Sequence, residues 1–129
     1  MRKILIVAAH PDDEILGCGG TILRRIAEGD EVYSLILGEG MTSRYDKRDL
    51  ADKEKIQQLH KSSSEVSKKI GFKDHWLYNF PDNRFDSIDL LDIIKVVEKV
   101  KNEIKPDVIY THFENDLNID HRITFQAVL

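Results

Sequence analysis

The chain has 129 residues, a formal net charge of −4 at neutral pH, and 41% hydrophobic and 33% charged side chains. This balance fits a folded globular domain and excludes disorder, which needs low hydrophobicity and high net charge. No apolar run approaches the roughly 20 residues of a membrane span. One cysteine, Cys18, excludes an internal disulfide or a multi-cysteine zinc finger, and the mild acidity argues against a nucleic-acid partner.

The run 4–9, Ile-Leu-Ile-Val-Ala-Ala, is continuous and β-branched, the pattern of a strand buried on both faces in a parallel sheet. It is too short for a signal-peptide core and leads into His10-Pro11-Asp12-Asp13-Glu14 instead of a cleavage site, so the expected location is cytoplasmic. The acidic cluster sits where a helix should begin, with Ile15, Leu16, Ile22, Leu23, Ile26 and Ala27 at helical spacing and Gly29-Asp30 as the stop. Positions 32–37 read as a second buried strand and 38–45 as a loop. An amphipathic helix is expected over 48–70, closed by Gly71. A short third strand falls at 76–78 and a turn-rich loop at 80–86. Ser87 then caps a helix whose apolar face is Leu90, Leu91, Ile94, Val97, Val100 and Ile104. A fourth strand covers 108–111 and a last helix 121–129.

Alternation of this kind predicts an α/β fold, a three-layer Rossmann-like sandwich with a mostly parallel sheet, in one domain over 1–129. The apolar ending, residues 124–129, has no basic last turn and no Gly or Asn cap. It is the ending expected of a piece of a larger domain, or of a helix that packs on a second copy in a homo-oligomer.

Ligands of such folds bind beyond the carboxyl ends of the strands, and the candidate chemical groups fall there. A tight turn after the first strand brings Asp13 back towards His10, so that the two can share a metal. His121 reaches the same rim by topology. Two histidines and one carboxylate with an open position make a catalytic zinc site, and Asp12 beside it is a candidate base. Two other readings stay open on spacing alone. The acidic residues also serve as a plain helix N-terminus, and His10, Asp12 and His121 also fit an iron facial triad.

The segment from Ala9 to Thr21 (Ala-His-Pro-Asp-Asp-Glu-Ile-Leu-Gly-Cys-Gly-Gly-Thr), the later 116–122 segment (Asp-Leu-Asn-Ile-Asp-His-Arg) and the Phe80-Pro81-Asp82-Asn83 loop resemble the PIG-L/LmbE-like family of metal-dependent N-deacetylases. The resemblance runs along the whole chain, and family members continue for several further elements. It implies Zn2+, with Fe2+ or another divalent metal as the alternative, on His10, Asp13 and His121. It also implies Asp12 as general base and hydrolysis of the N-acetyl group of an amino sugar, releasing acetate. Many relatives carry His where Asn118 stands. Asn118 donates a hydrogen bond but cannot titrate, and His112 at the end of the fourth strand is the alternative donor to the oxyanion. Asp120 is expected to orient a neighbouring ring. Arg44 and Asp82, on rim loops, are candidates for binding sugar hydroxyls or a phosphate.

Two competing functions are an inactive family member that binds metal or sugar without turnover, and a nucleotide-binding module in which the acidic turn only caps a helix. The second lacks a glycine-rich phosphate loop, because Gly17, Gly19 and Gly20 fall inside the first helix, where close helix–sheet packing accounts for them. Cys18 is expected to be a small buried residue, His60 solvated and His75 structural.

Overall fold

A computed structural model describes residues 1–129, the Arg48 side chain excepted. The strands β1 (Lys3–Ala8), β2 (Glu31–Gly38), β3 (Asp74–Phe80) and β4 (Val108–Tyr110) form one sheet in the order β3-β2-β1-β4. Every pairing is parallel, with Ile4 opposite Val32 on one side and Val108 on the other. Successive side chains of a strand face opposite ways. In β1, Leu5 and Val7 therefore enter a core with Leu35, Leu37, Phe85, Ile93, Val97 and Val100. Ile4 and Ile6 enter a second core, with Val32 and Ile22, on the other face. The helices α1 (Asp13–Ala27) and α2 (Lys53–Ile70) cover that second face, and α3 (Leu90–Ile104) and α4 (Ile119–Val128) cover the first. The result is the expected three-layer α/β sandwich. None of the helices is long and apolar enough to cross a membrane, among the described residues.

This topology decides where a ligand goes. The chain steps outward from β1 to β2 and β3, then returns to the other side of β1 for β4. The reversal lies between β1 and β4, and at that switch point the connections leave in opposite directions and open a crevice. His10 follows β1 and His112 follows β4, so both flank it.

Several boundaries differ from expectation. Helix α2 starts at Lys53 and not at 48, because the Asp52 carboxylate accepts hydrogen bonds from the N–H groups of Glu54 and Lys55 and so caps the helix there. A short 3-10 turn, Arg48–Leu50, precedes it. Gly71 closes α2 as expected, at φ 102°. Ser87 does not cap α3: its hydroxyl donates to the Arg84 carbonyl at 2.6 Å, and the helix begins after Asp89 without a side-chain cap. The buried face of α3 runs through Ile93, Val97, Val100 and Ile104, whereas Leu90 and Leu91 are exposed. In α1, Leu16 and Leu23 are exposed as well.

The glycines of α1 are not there for close packing, since a Cβ at Gly17 or Gly20 meets nothing within 4 Å. They accompany a kink at Cys18, where φ is −146°. Gly38 is the glycine that the packing requires. Its N–H donates to the Ala9 carbonyl at 2.7 Å, and an added Cβ would lie 2.6 Å from that oxygen and 3.0 Å from the Phe85 ring. This approach seats the end of β2 against the residue preceding His10. The Cys18 thiol is half-buried, donates to the Glu14 carbonyl and is pushed up by burial. His60, expected in solvent, is half-buried with Nε2 3.3 Å from the Glu39 carbonyl.

Candidate metal centre

The turn between β1 and α1 is built around two local bonds. The Asp13 N–H donates to the His10 carbonyl at 3.2 Å, and the His10 N–H donates to Asp13 Oδ2 at 3.0 Å. Asp12, at the apex, takes φ 82°, a left-handed conformation that aspartate tolerates better than most residues. The carboxylate three residues after the histidine is thereby folded back until Asp13 Oδ2 lies 3.2 Å from His10 Nδ1.

His121 arrives from α4. The Asn118 carboxamide caps that helix, its Oδ1 accepting from the N–H groups of Asp120 and His121. This sets the first turn so that His121 Nε2 lies 3.1 Å from Asp13 Oδ2. One donor atom from each of His10, Asp13 and His121 falls within 4.8 Å of the others. Residues at opposite ends of the chain thus converge at the β1–β4 switch point.

The outer atoms of both rings are also held. His10 Nε2 donates to Asp120 Oδ2 at 2.7 Å, with Asp82 Oδ1 at 3.2 Å. His121 Nδ1 donates to Asp116 Oδ2 at 3.1 Å. A histidine ligand commonly gives its second N–H to a carboxylate, which leaves the other nitrogen's lone pair for the metal. His10 Nδ1, Asp13 Oδ2 and His121 Nε2 meet that requirement and fit a divalent cation.

Two further triads, His112–Asp116–His121 and His10–Asp82–Asp120, have donor atoms equally close together. They fit less well. His112 Nε2 is occupied by the Ala9 N–H at 2.9 Å. Asp120, fully buried, accepts backbone N–H bonds from Asn83 and Phe85, and Asp82 Oδ2 accepts from the N–H and hydroxyl of Ser43.

The electrostatics follow from these contacts. Burial opposes a charge on His10, but its bonds to Asp120 and Asp13 prevail and lift the ring to about 9. Burial likewise opposes ionisation of Asp13, yet His10 and His121 hold it well below the usual carboxylate range. His121 is raised: burial resists, but Asp13 and Asp116 outweigh it. His112 is pushed down to about 4 by burial and by the neighbouring His121, so its ring is neutral at physiological pH. Because Nε2 accepts from Ala9, its proton sits on Nδ1. Burial, together with Asp12 and Asp13, pushes Glu14 up to about 7, and its Oε2 has no hydrogen-bond partner among the described residues.

A cleft of about 300 Å³ opens beside the cluster, lined by His10, Asp12, Arg44, Asp82, Asn83 and Asn118 among others. Asp12 and Arg44 are exposed on its wall. Asp82 is buried, and the Asn118 amide donates to Asn83 Oδ1 at 2.9 Å. A cavity of similar size, about 310 Å³, lies between Glu39 and α2 and contains none of the clustered ligand atoms. Nothing in the sequence pattern announces the roles of Asp116, Asn83 and Ser43. For Asp116 the available signal is its place in the 116–122 segment, just ahead of the helix turn that carries His121.

The PIG-L (GlcNAc-PI de-N-acetylase) family profile matches residues 5–129. An uncharacterized deacetylase of Escherichia coli K12, YaiS, is 30% identical over 98% of this chain and 65% of its own length. A probable N-acetyl-α-D-glucosaminyl L-malate deacetylase of Bacillus cereus is 30% identical over 99% of this chain and 60% of its own. The crystal structure of the conserved protein TT1542 from Thermus thermophilus superposes with a TM-score of 0.77 at 28% identity, covering 98% of this chain and 53% of that one. The chain therefore spans between about half and two thirds of the length of these relatives.

Proposed function

The chain belongs to the PIG-L (GlcNAc-PI de-N-acetylase) family, and from that membership we propose that it is a zinc-dependent N-deacetylase of an N-acetylated amino sugar. The substrate class is an N-acetylglucosamine-type glycoside, glycolipid or sugar conjugate, and the released acid is acetate. The observation that carries this reading is the convergence of His10 Nδ1, Asp13 Oδ2 and His121 Nε2, with both rings held from behind by carboxylates. Similarity to deacetylases, one of them named for a GlcNAc–malate substrate, supports the substrate class.

Held by these three residues, Zn2+ (or Fe2+ or another divalent ion) supplies Lewis-acid polarisation of the acetamide carbonyl and the attacking water. Asp12, exposed at the mouth of the cleft, accepts the water proton on its carboxylate as the oxygen attacks the carbonyl carbon. His112, neutral and with its proton on Nδ1, donates to the oxyanion that develops. Asn118 is the weaker candidate for that task, since its amide is spent on Asn83 and its carbonyl on the helix cap. As the carbon–nitrogen bond breaks, Asp12 returns its proton to the departing amine. Asp120 holds His10 through Nε2. Arg44 and Asp82 are the cleft residues assigned to sugar hydroxyls, and the exposed guanidinium of Arg44 is the more available of the two.

Incubation of the metal-loaded protein with N-acetylglucosamine conjugates, with amine release as the readout and Asp12→Asn as control, tests the reading. Amine release by the wild type and its loss in Asp12→Asn, with metal retained, is the expected result. Metal retained without turnover on any N-acetylated amino sugar would favour the second reading, a metal- or sugar-binding module.

A further inference from the structure

We infer that Asp116 is a positioning residue: it holds the Nδ1–H of His121 so that Nε2 faces Asp13 and the metal. This inference rests on the metal centre proposed above. A neutral imidazole carries one proton on either nitrogen, and the hydrogen bond made by one decides what the other presents. Without an acceptor behind the ring, His121 is free to place its proton on Nε2, the atom the metal needs. Asp116 Oδ2, 3.1 Å from Nδ1, draws the proton to that nitrogen against Asp13 Oδ2, which lies 3.1 Å from Nε2.

The carboxylate is itself fixed in place. Asp116 Oδ1 accepts the Asn118 N–H at 2.9 Å, closing a local turn. The Arg122 guanidinium reaches back from α4 to the carbonyls of Asp116 and Leu117, at 2.6 and 2.9 Å. The loop that carries the acceptor is thus strapped to the helix that carries the histidine. On the ring's face, His112 stacks at 3.8 Å between centroids and 15° between planes, which sets the tilt. Asp116 then sets the proton.

The closeness of His112, Asp116 and His121 also invites a reading as a second cation site. That site would require His121 to surrender both ring protons, Nε2 to one ion and Nδ1 to the other, while His112 Nε2 already accepts from Ala9. Hydrogen-bond acceptance by Asp116 needs neither.

The test uses Asp116→Ala and Asp116→Asn in the full chain. Asp116 is partly exposed, and its side chain fills no core position. Zinc affinity is measured by competition with a chelating indicator, and the His121 tautomer by nitrogen-15 NMR of the metal-free protein, at a pH where the ring is neutral. Expected are an unchanged circular-dichroism spectrum and zinc binding weaker by about 10–100-fold in Asp116→Ala. The Nδ1-protonated share of the ring should be larger in the wild type than in Asp116→Ala, where Asp13 Oδ2, 3.1 Å from Nε2, is the remaining carboxylate acceptor. The Asp116→Asn change should be smaller, because its amide oxygen still accepts. An unchanged zinc affinity, a tautomer ratio the same in the wild type and Asp116→Ala, or two zinc ions per wild-type chain falling to one in the variant would each overturn the assignment. If the wild type binds no zinc, the proposed function falls, and the tautomer measurement still decides the role of Asp116.

Discussion

The two histidines that flank Asp13 are held in opposite ways. His10 leans on Asp120 and Asp82, both buried. Asp120 also takes the backbone N–H groups of Asn83 and Phe85, so one carboxylate fastens the β3–α3 loop, the first turn of α4 and the ring of His10. His121 leans on Asp116, a partly exposed carboxylate whose other bonds stay within its own loop. On the first side the site and the fold are the same structure. On the second, the site is an addition to a helix that Asn118 already caps. A substitution behind His10 should therefore be read in stability, and one behind His121 in metal affinity.

Asp120→Ala should produce the largest effect. It leaves two buried backbone donors unpaired and takes from His10 its shortest carboxylate contact, with Asp82 Oδ1 remaining at 3.2 Å, and breaking such a group costs about 3–5 kcal/mol. Urea denaturation of the metal-free variant measures this, and a midpoint equal to the wild type's would break the comparison.

The next effect is one of pH. The folded protein holds His10 at about 9 against 6.5 in the unfolded chain. A group raised in this way contributes stability that is fully present below 6.5 and is lost as pH rises through about 9. The urea midpoint of the metal-free protein should fall across that window, by the equivalent of a few kcal/mol at most. Zinc affinity should rise over the same window, because the metal must displace the His10 proton. A midpoint that climbs from neutral pH to about 9 would contradict this assignment.

Asn118→Ala should be the smallest. Loss of an N-cap costs about 1 kcal/mol, and it leaves the core contacts of α4 through Ile123, Ala127 and Val128 in place. The same urea titration checks it, and a loss as large as that of Asp120→Ala would erase the distinction between the two sides.

The sequence displays the His10 side more openly than the His121 side. The β1 run and the proline-containing acidic turn are contiguous, so the strand, the switch-point loop and the His10–Asp13 pair are all readable from one stretch. That His121 should meet them follows from alternating elements, because a parallel sheet sends every strand's carboxyl end to one rim. Asp116 is not assignable from sequence. Its bond to His121 depends on where α4 starts, and that start is set by the Asn118 cap, whose carboxamide reads equally well as a chemical group. Asp82 is similar: its loop is recognisable, but its bonds to Ser43 and His10 are long-range contacts with no local periodicity. The same limit explains Ser87 and Asp52. Each is a competent cap by residue type, and only the surrounding backbone decides which one is used. The exposed Leu16, Leu23, Leu90 and Leu91 show that helical spacing locates an apolar stripe without fixing its edges.

The central claim is that two motifs at opposite ends of the chain meet in one metal centre. Metal content per chain by mass spectrometry, for the wild type and His121→Ala after dialysis against dilute zinc, tests it most directly. The predicted result is one retained zinc in the wild type and its loss in a variant that remains folded. Zinc retained by His121→Ala, or none retained by the folded wild type, would contradict it.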